Sequence, residues 1–205
     1  AVLGPAAASL MWGGGGSSEV APTRTTSVLD AIRARVGKDT QIVFEPGFVS
    51  EESVTPVPSE YLRAPKESGG GPGLRGEYFD GKELGESPVL RRVDKNIDFD
   101  WGNAAPDPSM KVDFFSVRWT GTITFPKGKK YKLRTQADDG TRLWIDDEQV
   151  LDDWRDHGPE VHSARMDLEG GKTYRIRLEF YENWGGAVVR LGYVETGDAS
   201  RMREL

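Results

Sequence analysis

Residues 115–125, Phe-Ser-Val-Arg-Trp-Thr-Gly-Thr-Ile-Thr-Phe, place large apolar side chains on alternating positions. A period of two belongs to an extended strand, whose successive side chains point to opposite faces. Phe115, Val117, Trp119, Ile123 and Phe125 therefore share one buried face. The pattern returns in residues 131–135. It recurs in 173–180, with Tyr174, Ile176, Leu178 and Phe180 inward and Arg175, Arg177 and Glu179 outward, and in 187–193, with Ala187, Val189, Leu191 and Tyr193 inward. Turn residues such as Pro126-Lys-Gly-Lys129 punctuate the series about every ten residues, which predicts a mainly β, antiparallel sandwich or barrel over residues 74–195. Five of the six tryptophans fall in this stretch, as an aromatic core requires.

Residues 1–66 read differently. Residues 1–5 look like the end of a buried strand, and 12–18 are a glycine-rich loop without the Gly-Lys-Ser/Thr ending of a nucleotide site. Residues 25–36 have helical spacing, with Val28, Leu29, Ile32 and Val36 on one face, Ser27 as N-cap and Gly37 as stop. Residues 41–45 form a second strand. A strand, a helix and a second strand imply a parallel pair. Two strands and one helix bury too little apolar area to stand alone, so this piece is expected to be an incomplete α/β fragment. The Gly/Pro cluster at 67–73 is expected to be the linker between the pieces, and 196–205 a return segment.

Composition excludes several functions. The net charge is −6, with no compensating basic run, which argues against a nucleic-acid partner. Cysteine is absent, so disulfides and thiolate metal sites are excluded. With only His157 and His162, a histidine-rich zinc or non-haem iron site is not expected, and both are expected at the surface. No apolar run reaches the roughly 18 residues of a membrane span, so no membrane partner is expected. No signal-peptide pattern is visible. A cysteine-free chain fits the bacterial cytoplasm or a disulfide-free secreted protein, and a periplasmic or secreted location is the expectation.

Residues 136–154 hold three aspartate pairs. Like charges this close repel, so each pair needs a cation, a nest of N–H groups, or water. Asp146-Asp147 lies between short strands at hairpin spacing and is expected at a solvated tip. Asp152-Asp153 ends the next strand and is expected to shape a loop by accepting backbone hydrogen bonds. Asp138-Asp139-Gly140 admits two readings: a cation site, because paired carboxylates supply hard oxygen ligands, or a tight turn with Gly140 at positive φ. Trp154, Trp184 and Tyr181 are candidates for a sugar-stacking platform. Trp184, in the loop Asn183-Trp-Gly-Gly186, is the best placed for exposure. Trp119 and Trp144 are expected to be buried or half-buried.

The second piece resembles the protective-antigen-type, or PA-fourteen, domain. The carrying motifs are Gly73-Leu-Arg-Gly-Glu-Tyr-Phe79, Val117-Arg-Trp-Thr-Gly-Thr-Ile123, Ala137-Asp-Asp-Gly-Thr-Arg-Leu-Trp-Ile-Asp146 and Val150-Leu-Asp-Asp-Trp154. The first piece resembles the start of the C-terminal α/β-sandwich domain of family 3 glycoside hydrolases, through Val2-Leu-Gly-Pro5, Gly14-Gly-Gly-Ser17, Ser27-Val-Leu-Asp-Ala-Ile-Arg33 and Val43-Phe-Glu-Pro-Gly47. Some members of that β-glucosidase-like family carry a PA-fourteen domain inserted shortly after this point.

The resemblance implies that both catalytic carboxyl groups lie outside residues 1–205, so catalytic residues are not expected here. It implies a non-catalytic accessory segment that shapes substrate specificity near the active site, with carbohydrate and the rest of a parent glycosidase as partners. Two alternatives are a calcium-dependent carbohydrate-binding module and a structural or oligomerising domain. In flocculin-type adhesins of the superfamily the matching Asp-Asp pair binds Ca²⁺ with a later asparagine. That implies Asp138, Asp139 and Asn183 as metal ligands, with Trp184, Trp154, Asp138 and Asp139 at the ligand. No other cofactor is expected.

Overall fold

The computed structural model describes residues 2–3, 7, 26–37, 40, 42–45 and 54–196. The chain divides into two compact units, Ala1–Ser53 and Val54–Leu205. In the first, strand β1 (Val2–Leu3) pairs in parallel with β2 (Phe44–Glu45), and helix α1 (Val28–Arg35) lies between them in sequence. Ser27 caps this helix, its hydroxyl accepting the Asp30 N–H at 3.0 Å. Leu29 is buried and Ile32 and Val36 are partly so, whereas Val28 is exposed, one residue off that face. The glycine-rich loop at 12–18 and the expected return segment beyond Thr196 lie outside the described residues.

The second unit is an antiparallel β-sandwich. Its strands are β3 (Thr55–Pro56), β4 (Leu62–Arg63), β5 (Leu74–Asp80), β6 (Leu90–Asp94), β7 (Asp98–Gly102), β8 (Phe115–Thr124), β9 (Lys130–Asp138), β10 (Thr141–Ile145), β11 (Glu148–Asp153), β12 (Glu160–Glu169), β13 (Thr173–Glu182) and β14 (Ala187–Thr196). One sheet runs β11-β10-β13-β8-β5-β6, with β4 also on β8. The other runs β12-β9-β14-β3, with β7 also on β14.

This unit begins at Val54, ahead of the linker expected at 67–73. The reason lies in the apolar residues before the glycines. Val57 is buried and donates its N–H to Leu191 O at 2.9 Å, and buried Leu62 sits opposite Ile123 across the β4–β8 ladder. Gly73 N–H reaches Leu62 O at 3.2 Å, so the glycine-rich run folds back on the sandwich.

The inward positions of β8 and β13 are all buried, and the β14 positions are buried except Tyr193, which is partly so. Burial of each large apolar side chain contributes about 1.5–3 kcal/mol. Trp119 is fully buried, and Trp144 is half-buried, with the Arg177 guanidinium 3.9 Å from its ring. One buried charge is fully satisfied. Asp94 accepts from Trp119 Nε1 at 2.7 Å, Tyr78 OH at 2.6 Å and Arg92 Nε at 2.7 Å. Gly76 leaves room for it: a Cβ there would fall 2.6 Å from Asp94 Oδ2.

Candidate functional site

The three aspartate pairs occupy different settings. Asp146 and Asp147 have φ of 49° and 73° and link β10 to β11, the backbone of a type I′ hairpin turn. Both are exposed, as expected for a solvated tip.

Asp138 and Asp139 sit where β9 ends and β10 begins, joined by a cis peptide bond. Asp139 is buried. Its Oδ1 accepts the His157 N–H at 2.9 Å and its Oδ2 the Asn183 N–H at 2.8 Å, as in the turn reading. Gly140, however, is not at positive φ. It is required because a Cβ would fall 2.5 Å from the Tyr181 ring and 3.0 Å from Asp153 O.

A third carboxylate joins the pair. Glu182, at the end of β13, has ligand oxygens within 4.8 Å of those of Asp138 and Asp139. It is fully buried, and neither of its oxygens has a hydrogen-bond partner. Burial, reinforced by the Asp139 and Asp138 charges, pushes the Glu182 carboxyl up to about 8. Burial and then the Asp139 charge push Asp138 up to about 6. Two protonatable acids and a buried aspartate facing one another form a set of hard oxygen donors whose repulsion a divalent cation would relieve. The residues therefore fit Ca²⁺. Sequence reading missed Glu182 although it keeps the inward parity of Ile176, Leu178 and Phe180: an acid on the apolar face at a strand end.

Asn183 meets the pair through its backbone. Its side-chain Nδ2 donates to Asp156 Oδ2 at 2.9 Å, and Asp156 also accepts from Tyr181 OH at 2.7 Å and Lys82 Nζ at 2.8 Å. Trp184, next in sequence, is 74% exposed. Phe114 is 50% exposed and donates its N–H to Asn183 O at 3.1 Å, while Asp113 Oδ1 accepts the Gly185 N–H at 3.1 Å. Two outward-facing aromatics thus stand on loops that are hydrogen-bonded to each other beside the carboxylates. Phe114 was invisible to sequence reasoning because it precedes the alternating pattern at a φ of 57°.

The other two aromatics differ from expectation. Tyr181 is buried, and Trp154 is half-buried with its ring against Tyr181 at 4.6 Å and the Arg142 guanidinium 3.8 Å from its centroid. Both are packing residues, because the β10 arginine and the β13 tyrosine converge on the loop after β11. His157 departs from the surface position expected, whereas the His162 side chain is 35% exposed. The His157 side chain is 4% exposed, and both rings face Asp153. A separate cleft of about 550 Å³, lined by residues including Arg75, Trp144, Asp147, Arg175 and Arg177, contains none of Asp138, Asp139 and Glu182.

The second unit is thus a two-sheet antiparallel sandwich with an Asp-Asp turn at its rim. The chain belongs to the PA14 domain family, whose model matches residues 70–201. Among curated proteins it is 40% identical to the anti-sigma-I factor RsgI3 of Acetivibrio thermocellus over 60% of this chain and 19% of that protein. It is 23% identical to the probable beta-glucosidase K of Emericella nidulans over 97% of this chain and 26% of that protein. The chain thus spans about a fifth to a quarter of these relatives. Among solved structures, a beta-glucosidase from Kluyveromyces marxianus in complex with glucose aligns over 98% of this chain and 25% of that one, with 18% identity and a TM-score of 0.61.

Proposed function

We propose that this chain is a non-catalytic accessory segment of a β-glucosidase-like glycoside hydrolase, whose sandwich rim contacts carbohydrate and shapes which glycosides are accepted. PA14 membership and the alignment of nearly the whole chain, both units included, with β-glucosidases support a carbohydrate-related accessory role. The observation that carries the rim assignment is the carboxylate group Asp138, Asp139 and Glu182 beside the exposed rings of Trp184 and Phe114. Aromatic faces pack on the C–H faces of pyranose rings, and hydroxyls complete the shell of a hard cation.

In this reading Asp138, Asp139 and Glu182 would hold Ca²⁺. Asp139 is oriented by the two N–H groups it accepts, and Trp184 supplies the stacking surface. When bound, Ca²⁺ would neutralise these carboxylates and attract sugar hydroxyls. The reading is tested by deleting residues 54–196 from the parent glycosidase and comparing its preference for short and long glucosides. An unchanged preference rejects the specificity role.

A second reading, a calcium-dependent module that binds glycans independently, is favoured by the partnerless oxygens of Glu182. Calorimetric titration of this chain with CaCl₂, followed by gluco-oligosaccharides, tests it apart from the parent enzyme. Heat from both ligands supports the module, and heat from neither removes it.

A further inference from the structure

We propose that Asp153, His157 and His162 form a second metal site, for a divalent transition metal of the zinc class. Asp153 ends β11 in one sheet, His162 lies on β12 in the other, and His157 sits on the loop that crosses between them. Asp153 Oδ2 lies 2.9 Å from His157 Nε2 and 2.7 Å from His162 Nε2. All three atoms are inaccessible to solvent, and none forms an aligned hydrogen bond. The His157 and Asp153 side chains are 4% and 10% exposed. Buried polar atoms of this kind normally form aligned hydrogen bonds, so three that approach one another at 2.7 and 2.9 Å without one call for an explanation.

The surroundings orient these atoms as metal ligands are oriented. His157 Nδ1 lies 2.6 Å from Gly158 O and donates to it, which leaves the Nε2 lone pair directed at Asp153. An imidazole whose outer N–H is held by a backbone carbonyl is the usual arrangement in metal-ligating histidines. Arg155 Nε holds the other Asp153 oxygen, Oδ1, at 2.8 Å, so that Oδ2 faces the two rings. Glu160 is two residues from His162 on β12, and its Oε2 lies 3.3 Å from His162 Nε2. It is shared with Arg155 and supplies a fourth donor.

Two imidazoles with one or two carboxylates select zinc-class ions over Ca²⁺ or Mg²⁺, which prefer all-oxygen shells. Zinc at about 2.0–2.1 Å from each atom requires the ligands to spread by only about half an ångström. The ion would fix the crossing loop. That loop also carries the His157 N–H that binds Asp139 and the Asp156 carboxylate that holds Asn183. The assignment does not depend on the calcium reading, because the two ligand sets share no residue.

The test uses the full chain, freed of metal with EDTA, dialysed, and titrated with ZnCl₂ in the presence of excess CaCl₂. One Zn²⁺ per chain is expected. Binding should weaken more than about 100-fold in His162→Gln and His157→Ala, a larger loss than removal of an outer-shell partner causes. Glu182→Gln should retain it. Titration with CoCl₂ should give the visible ligand-field bands of a four-coordinate site, and Zn²⁺ should shift both imidazole signals in NMR spectra. His162 is partly exposed, so its variant folds and decides the matter even if His157→Ala does not. Absence of zinc binding overturns the proposal, as does equal binding by His162→Gln, or unshifted imidazole signals, which would leave only aspartate–histidine ion pairs.

Discussion

Asn183 donates its backbone N–H to Asp139 Oδ2 at 2.8 Å, which ties the β13–β14 loop to the β9–β10 turn. The His157 N–H occupies the other oxygen at 2.9 Å. One buried carboxylate thus organises two loops from its own turn. Replacing it leaves two N–H groups without their acceptor, each costing about 1–3 kcal/mol. Asp139→Ala should therefore destabilise the chain by about 2–5 kcal/mol and abolish any response to Ca²⁺. Urea denaturation with and without CaCl₂ measures both.

Glu182 and Asp138 make stability depend on pH in an unusual direction. Their folded values, about 8 and about 6, lie above the ordinary 4.5 and 3.8, so the folded state binds these protons more tightly. The stability they contribute is fully present below the ordinary values and is lost as pH rises through the folded ones. In EDTA, the melting temperature should fall between about pH 4.5 and 8. Glu182→Gln should flatten that slope. CaCl₂ should restore stability at pH 8 and do little at pH 5. A slope that rises in EDTA contradicts the crowded-carboxylate picture.

Trp184 and Trp154 should separate binding from stability. Trp184 is solvent-facing, so Trp184→Ala should change stability by less than about 0.5 kcal/mol while weakening gluco-oligosaccharide binding. Trp154 packs between Tyr181 and Arg142, so Trp154→Ala should cost about 2–4 kcal/mol. Paired denaturation and binding titrations distinguish the two roles.

The Asp94 cluster should be the most sensitive polar feature of the core. Asp94→Ala strands Trp119 Nε1, Tyr78 OH and the Arg92 guanidinium and should cost about 3–5 kcal/mol. Gly76→Ala, which places a methyl group 2.6 Å from Asp94 Oδ2, should be comparably harmful. Denaturation midpoints, with unchanged slopes, are the readout.

Much of the sandwich was legible because a buried strand writes its orientation into every second residue. Phe115 to Phe125 and Tyr174 to Phe180 face the core as the alternation requires. The parallel pairing of β1 with β2 followed from the intervening helix, and the Asp146-Asp147 turn from hairpin spacing. Long-range convergence was less legible. Glu182 carries the inward parity, but which acids it meets depends on how β9 and β13 lie across the two sheets. His157 and His162 looked like isolated polar residues because the crossing loop folds back on Asp153. The glycines at 69–73 suggested a linker since composition records backbone freedom, whereas Val57 and Leu62 decide where the core begins.

The crossing loop after β11 joins an outer strand of one sheet to an outer strand of the other. Such a seam is the natural place for two stacked sheets to slide or peel apart. Here Asp153, His157, Glu160 and His162 meet across it. With the proposed zinc-class ion bound at that seam, a chelator should lower the force needed to unzip this side of the sandwich while leaving the opposite edge unchanged.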